Sequence, residues 1–320
     1  MCQDSVSDRI PDLMVKLDTE TRWNLTYDSI YRGLKLKNRI RFFCIEYSDG
    51  IGEDQLTDDD WNHLVEIFEG LKPFHEATLR VEGNAGKGHH GAVWEVLPTL
   101  EALLSEMEEG RRRLEEAGRG QTPLAVAYQN AWEKLNKYYN ITDGSHSIYA
   151  AATLFNPARR QDYFDQQWIT PEMKSWKESM LHTVKKIWED NYKDKEPIRQ
   201  SIPLKRKPDF LDRFFNKHRD KATGDAFDSY VRGTPVVFIN DDEEDLLNWW
   251  QVMGDPQLRQ QAYDLLSIPA MSAEVERIFS SAKRTISLDR HRLSDEAIEQ
   301  LELLRHWWLR GLATQIRRKR

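Results

Sequence analysis

A predominantly α-helical fold follows from three observations. Apolar residues recur at three- and four-residue spacing along most of the chain, only one run looks strand-like, and Pro and Gly are scarce at 12 and 16 of 320 residues. Hydrophobic residues make up 39% and charged residues 31%, which excludes a disordered or collagenous chain. At ~150 residues per domain the length suggests about two domains, with ample surface to bury. Cys2 and Cys44 are too few for a disulfide framework or a four-thiolate zinc site. No apolar run approaches the ~18 residues of a membrane span. The expectation is an intracellular protein without a membrane partner or signal peptide.

Each element has its own signal. Trp23, Tyr27, Ile30 and Leu34, spaced by four, three and four, share one helix face. Asp58, Asp59 and Asp60 open a second helix through Trp61, Leu64, Phe68 and Leu71, where carboxylates complement the positive end of the helix dipole. Pro73 predicts a kink or restart near Lys72. The stretch Gly83 to Gly91 reads as a glycine-rich connection. Beyond it Val93, Leu97, Leu100, Leu104 and Met107 form a regular stripe, with a charged end at Arg111–Arg113. Leu124, Tyr128, Ala131, Leu135 and Tyr138 predict the next helix, and Trp176, Met180, Val184 and Ile187 another. Pro197, Pro203, Pro208, Gly224, Gly233 and Pro235 mark 193–235 as a charged linker holding a short helix near Phe210 to His218. Val236 to Ile239 is the strand-like run. Helices are then expected over 242–252, 256–266 and 271–285. A last one begins near Ser294 and carries Ala297, Leu301, Leu304 and Trp308 in a narrow stripe suited to helix docking or to an ordinary core.

Charge is unevenly placed around a net value of −7. Lys193 to Lys221 holds ten Lys or Arg against five Asp or Glu, and the chain ends Arg317-Arg318-Lys319-Arg320. Such stretches suit phosphate contact or nuclear import, and equally a solvated linker and tail. The glycine-rich stretch lacks phosphate-loop spacing, and His89 follows Gly88 where Ser or Thr would be needed. Adjacent His89 and His90 diverge by ~100° on a helix, so they would not chelate one metal. On its residues alone, Glu276 reads as a solvated carboxylate near Lys283 or Arg284.

A resemblance sharpens this. Leu247-Asn248-Trp249-Trp250, Leu266-Ser267-Ile268-Pro269-Ala270 and Ser272-x-x-x-Glu276-Arg277-x-Phe279-Ser280 closely resemble the C-terminal dimerisation region of hAT-type transposases, the hobo and Activator group. The likeness continues through Arg290, Arg292, Leu293 and Leu304-Arg305-His306-Trp307-Trp308. Upstream, Thr21-Arg22-Trp23-Asn24-Leu25-Thr26-Tyr27 looks like the family's T-R-W-N-S-T-Y element, and Gly91-Ala92-Val93-Trp94-Glu95-Val96-Leu97-Pro98 looks like fungal members. The resemblance covers nearly the whole chain.

It implies a ribonuclease-H-like core interrupted by a large helical insertion, with three carboxylates holding divalent metal for strand cleavage and joining. The third carboxylate corresponds to Glu276, and Trp23 to a residue that stacks on DNA. In the family both Asp residues lie upstream of the T-R-W element, and 20 residues precede Thr21 here. The expected fold is therefore a helical-bundle insertion (1–192), a charged linker (193–235) and a dimerisation region (236–320) made of the C-terminal helices of a core whose main strands are missing. The expected function is that of a truncated or domesticated transposase derivative acting through dimerisation, with Glu276 vestigial. No cofactor is expected, Mg or Mn entering only if a complete core is supplied elsewhere. Dimerisation would use Trp249, Trp250, Phe279, Leu301, Leu304 and Trp308, in a homodimer or with related transposases, in the nucleus. One alternative is a DNA-binding remnant using Trp23, Lys205, Arg206 and Lys207. Another is a fragment of an active transposase.

Overall fold

The computed structural model describes residues 15, 23–51, 55–82, 91–142, 148–193, 225–238, 243–272, 276, 279–280, 282–283 and 294–309. Helices dominate, and among the described residues the only sheet-like pairing is an isolated antiparallel bridge between Ala92 and Pro269. The chain divides into two compact units, Met1–Thr78 with Leu103–Lys134, and Leu79–Ala102 with Leu135–Arg320. These boundaries differ from the segments expected at 1–192, 193–235 and 236–320. Early residues, the Gly91–Ala102 stretch among them, fold with the C-terminal region.

In the first unit, helices α1 (Trp23–Glu46), α2 (Ser48–Ile51) and α3 (Asp58–Glu82) follow one another. The Tyr27 ring stacks on Phe68 at 4.8 Å and His75 at 4.2 Å, the Lys37 ammonium lies 5.4 Å over Trp61, and Arg41 pairs with Asp58. Numbers rise along α1 as they fall along α3, so the two helices run antiparallel. Thr57 caps α3: its Oγ accepts from the Asp60 N–H at 3.2 Å, while the Asp60 carboxylate accepts from the Thr57 backbone and hydroxyl. The expected break at Pro73 is absent, and α3 runs unbroken through it. Phe68 and His75, on either side of Pro73, stack on the same Tyr27 ring, which ties both halves of α3 to α1.

Helices α4 (Val96–Glu116) and α5 (Pro123–Thr142) complete this unit with residues 103–116 and 123–134. Gly110 lies flush against the Tyr128 ring, where any Cβ would collide. Arg119 grips Glu66 through two bonds of 2.6 and 2.9 Å, holding that carboxyl below its usual range through the hydrogen bond and the charge.

The second unit is built around α6 (Ile148–Leu154), in which Ala150, Ala151, Ala152, Thr153 and Leu154 are all buried. Three small side chains in a row let neighbours approach its backbone closely. Around it lie α7 (Arg160–Gln167), α8 (Pro171–Asn191), α9 (Ala226–Val231), α10 (Glu243–Val252) and α11 (Arg259–Leu266); a final helix, α12, spans Asp295–Leu309. Thr170 caps α8 by accepting from the Met173 N–H, with Pro171 in the first turn. Trp168, which has polar neighbours in sequence, is buried and donates its indole N–H to Glu101 at 3.0 Å. Tyr139 and Tyr163 donate to the same carboxylate. Burial, with Glu101 beside it, pushes the Tyr163 phenol far up.

Two expectations change here. Asp225 caps α9 by accepting from the Phe227 N–H, and Phe227, Tyr230 and Val231 are buried, so the last part of the expected linker is core. Val236 to Phe238 form no strand. The Val236 N–H is bound at 2.8 Å to the Pro157 carbonyl instead of a neighbouring strand, and Val237 is exposed. Ile239, most of the glycine-rich stretch (83–90) and the short helix expected near Phe210 lie outside the described residues. The helices expected over 242–252, 256–266 and from Ser294 are found at Glu243–Val252, Arg259–Leu266 and Asp295–Leu309, with Ser294 capping α12 through its hydroxyl to the Ala297 N–H, while most of the helix expected over 271–285 lies outside the described residues.

Tyr192, just past α8, donates to Asp264 on α11 at 2.9 Å. Burial, then that bond, pushes its phenol up to about 12 from an ordinary 10.0. The stabilisation is therefore complete below pH ~10 and is lost as pH rises towards ~12, because the unfolded chain releases this proton first. Unfolding followed against pH should show Tyr192→Phe losing less stability over that window than the native sequence.

Candidate functional site

The elements joining α6 to the C-terminal region decide where each expected site residue falls. After α6 the chain runs through Phe155, Asn156 and Pro157, all buried. A helix end leaves backbone carbonyls without intrahelical donors. Here they are met from elsewhere: the Tyr230 hydroxyl donates to the Leu154 carbonyl at 3.1 Å, and the Trp250 indole to that of Phe155 at 2.9 Å. Trp250 is fully buried, 4.8 Å from the Tyr230 ring and 5.6 Å from Phe155. It supports the region from inside its own chain. Trp249, half-buried, stands edge-on to Trp250 at 5.2 Å.

Arg160, missed by sequence reasoning, locks this cluster. It adopts φ 51 at the start of α7, where its guanidinium is buried 4.7 Å from the Tyr230 ring and 5.5 Å from that of Trp249. Its Nη1 donates to the Tyr230 carbonyl at 3.2 Å. Burial lowers its pKa, and the group still stays charged at any ordinary pH. Tyr230 was missed because three prolines and many charges upstream made the segment read as a linker. The usable signal was Asp225 followed by Phe227, Tyr230 and Val231, a capped apolar stripe.

The remaining dimerisation candidates are at the surface. Phe279 is 68% exposed, Leu304 55% and Trp308 67%, and Leu301, Leu303 and Trp307 are exposed beside them on α12. Five large apolar side chains open to solvent on one fifteen-residue helix depart from the ordinary scatter of surface apolar residues. The Gly91–Glu95 segment docks on the stretch that follows α11: Val93 N–H donates to the Ile268 carbonyl at 2.8 Å, and Ala270 N–H to that of Gly91 at 2.7 Å. Glu95, buried within this segment, pairs with Arg80 at 2.8 Å.

Glu276 is exposed and helical, and accepts from the Ser272 hydroxyl at 3.1 Å. Among the described residues no three His, Cys, Asp or Glu come together as a metal site, so these residues do not by themselves fit a divalent metal pair. Trp23 opens α1. Lys205, Arg206 and Lys207 lie outside the described residues.

Residues 226–308 match the hAT family C-terminal dimerisation region. The chain carries that region. The match starts at α9 and ends at Trp308 in α12, taking in Tyr230, Trp250 and the exposed α12 stripe. Over most of its length the chain is similar to a regulator, a zinc-finger protein and a transposase. It is 24% identical to a protein described as a transcriptional regulator, tpeD, of Talaromyces stipitatus, over 92% of this chain and 32% of that protein. It is also 24% identical to the zinc finger BED domain-containing protein DAYSLEEPER of Arabidopsis thaliana, over 94% of this chain and 42% of that protein. A protein described as an AC transposase of Zea mays is 22% identical over 92% of this chain and 37% of its own length. The chain thus spans between a third and about two fifths of the length of the curated relatives it matches.

Gly233 is where the Arg160 guanidinium passes: an added Cβ would collide with it and stand 3.1 Å from the Tyr230 carbonyl oxygen. Gly233→Ala should cost about 1–3 kcal/mol in urea unfolding, as overpacking of a filled site does. A neutral result would mean that the guanidinium has room to move.

Proposed function

We propose that this chain acts through self-association, two copies pairing the apolar surface of α12 and Phe279, and that it is a derivative of an hAT transposase. The exposed stripe Leu301, Leu304 and Trp308 inside a family dimerisation region carries this reading. Burying such a stripe against its copy removes apolar surface from water at ~25 cal/mol per Å². Related transposases carrying the same region are the other partners this surface suits.

Strand cleavage is not part of the proposed role. Glu276 is a single carboxylate bound to a serine hydroxyl, a vestige of the family's third metal ligand, and the domesticated or truncated state follows from that role. A second reading, DNA binding through Trp23 with Lys205, Arg206 and Lys207, is favoured by the excess of ten basic over five acidic residues in 193–221. The basic C-terminal tail and the regulator and zinc-finger descriptions of two relatives support a nuclear location. Among the described residues no helix is long and apolar enough to cross a membrane.

Light scattering on the native chain should give a dimer that Leu304→Asp with Trp308→Ala converts to a monomer of unchanged helix content. A native monomer at tens of micromolar would end the dimer reading. Manganese-dependent nicking of DNA by the chain alone would return it to the enzymes.

A further inference from the structure

The first unit carries an exposed stripe that the α12 contact does not use. Lys37, over the Trp61 ring, and Arg41, paired with Asp58, turn towards α3. On the opposite side of α1, Arg39, Phe42, Phe43 and Glu46 stand at positions i, i+3, i+4 and i+7 of a single face. All four are exposed, and the Tyr47 ring backs the stripe 4.7 Å from that of Phe43. Among the described residues neither the Arg39 guanidinium nor the Glu46 carboxylate has a partner. The stripe runs cation, ring, ring, carboxylate. At a helical rise of 1.5 Å per residue, Arg39 and Glu46 lie equally far, about 5 Å, to either side of the Phe42–Phe43 midpoint. Two such helices laid antiparallel about a two-fold axis through that midpoint bring the rings together and set each Arg39 opposite Glu46 of the other copy.

We infer that a second copy of this chain docks on this face, α1 against α1, with two Arg39–Glu46 ion pairs flanking the phenylalanine rings. Self-complementarity selects the occupant. An isologous contact requires each group to find its counterpart within the same patch, and a cation and a carboxylate placed symmetrically about an apolar centre do so. A uniformly acidic or uniformly basic helix would set one of the two charges against its own sign. Nucleic acid is opposed in the same way, because Glu46 would face phosphate. A face two helical turns long is smaller than a stable dimer needs, so the contact is weak and forms at high concentration. It belongs to the first unit, and it stands whether or not α12 pairs.

The test uses the full chain carrying Leu304→Asp and Trp308→Ala, which takes pairing through α12 out of the measurement. Sedimentation equilibrium should show a monomer at about ten micromolar passing to a dimer towards about 1 mM, the range of a weak contact. Arg39→Glu alone, or Glu46→Arg alone, opposes like charges at both ends and should weaken this association about tenfold at unchanged helix content. Mixed in equal amounts, these two variants should pair with each other as tightly as the parent pairs with itself, because every contact is again between opposite charges. Arg39→Glu combined with Glu46→Arg should recover in the same way, and Phe42→Ala with Phe43→Ala should abolish association. A monomer throughout, association indifferent to the charge substitutions, or a mixture no tighter than its components overturns the inference.

Discussion

Buried backbone carbonyls at the end of α6 are the constraint on which the second unit depends. The helix is packed on every side, so water cannot reach its last turn, and an unmet carbonyl there would cost about 1–3 kcal/mol. The chain meets the demand with distant groups: the Tyr230 hydroxyl for Leu154, the Trp250 indole for Phe155 and the Val236 N–H for Pro157. Each donor sits within or beside a helix of the dimerisation region. Once the three bonds form, the positions of α9 and α10 follow, and Arg160 finds its slot between Tyr230 and Trp249.

A second set of ties keeps α8 and α11 in step with that arrangement. The Trp188 indole donates to the Gln257 carbonyl at 3.1 Å and Tyr192 to Asp264, while Lys185 reaches Asp228 at 2.8 Å. Aromatic residues with one polar atom do most of this work, because a large ring fills the core while its N–H or O–H answers a backbone or carboxylate oxygen. Of the eleven tryptophans, Trp168, Trp188 and Trp250 use their indole N–H in this way inside the core.

Much of the helical order was legible in the sequence, since amphipathic spacing and caps are local. Asp58 to Asp60 and Ser294 mark helix starts where the structure has them. What escaped depends on residues far apart in the chain. Pro73 stays helical because of a ring on another helix, and Val236 forgoes a strand because its N–H is drawn to Pro157. Trp168 makes sense only beside Glu101, 67 residues earlier. At the candidate site, the motif match pointed to residues of α12 and to Phe279, which the structure leaves exposed. It could not tell which of the adjacent Trp249 and Trp250 is fully buried, since the Trp250 indole is drawn in by the carbonyl of Phe155, about 95 residues earlier.

The shared hydrogen bonds bear on how such a region can be inherited. A self-standing module can be moved between proteins because its core closes on itself. Here the region opening at α9 finds its acceptors in residues 154–157, and cut free it would carry the Tyr230 hydroxyl and the Trp250 indole without them. A gene fusion that takes 226–308 alone would pass on Tyr230 and Trp250 without the carbonyls that seat them. The unit that closes its own hydrogen bonds is therefore α6 with α9 and α10 together.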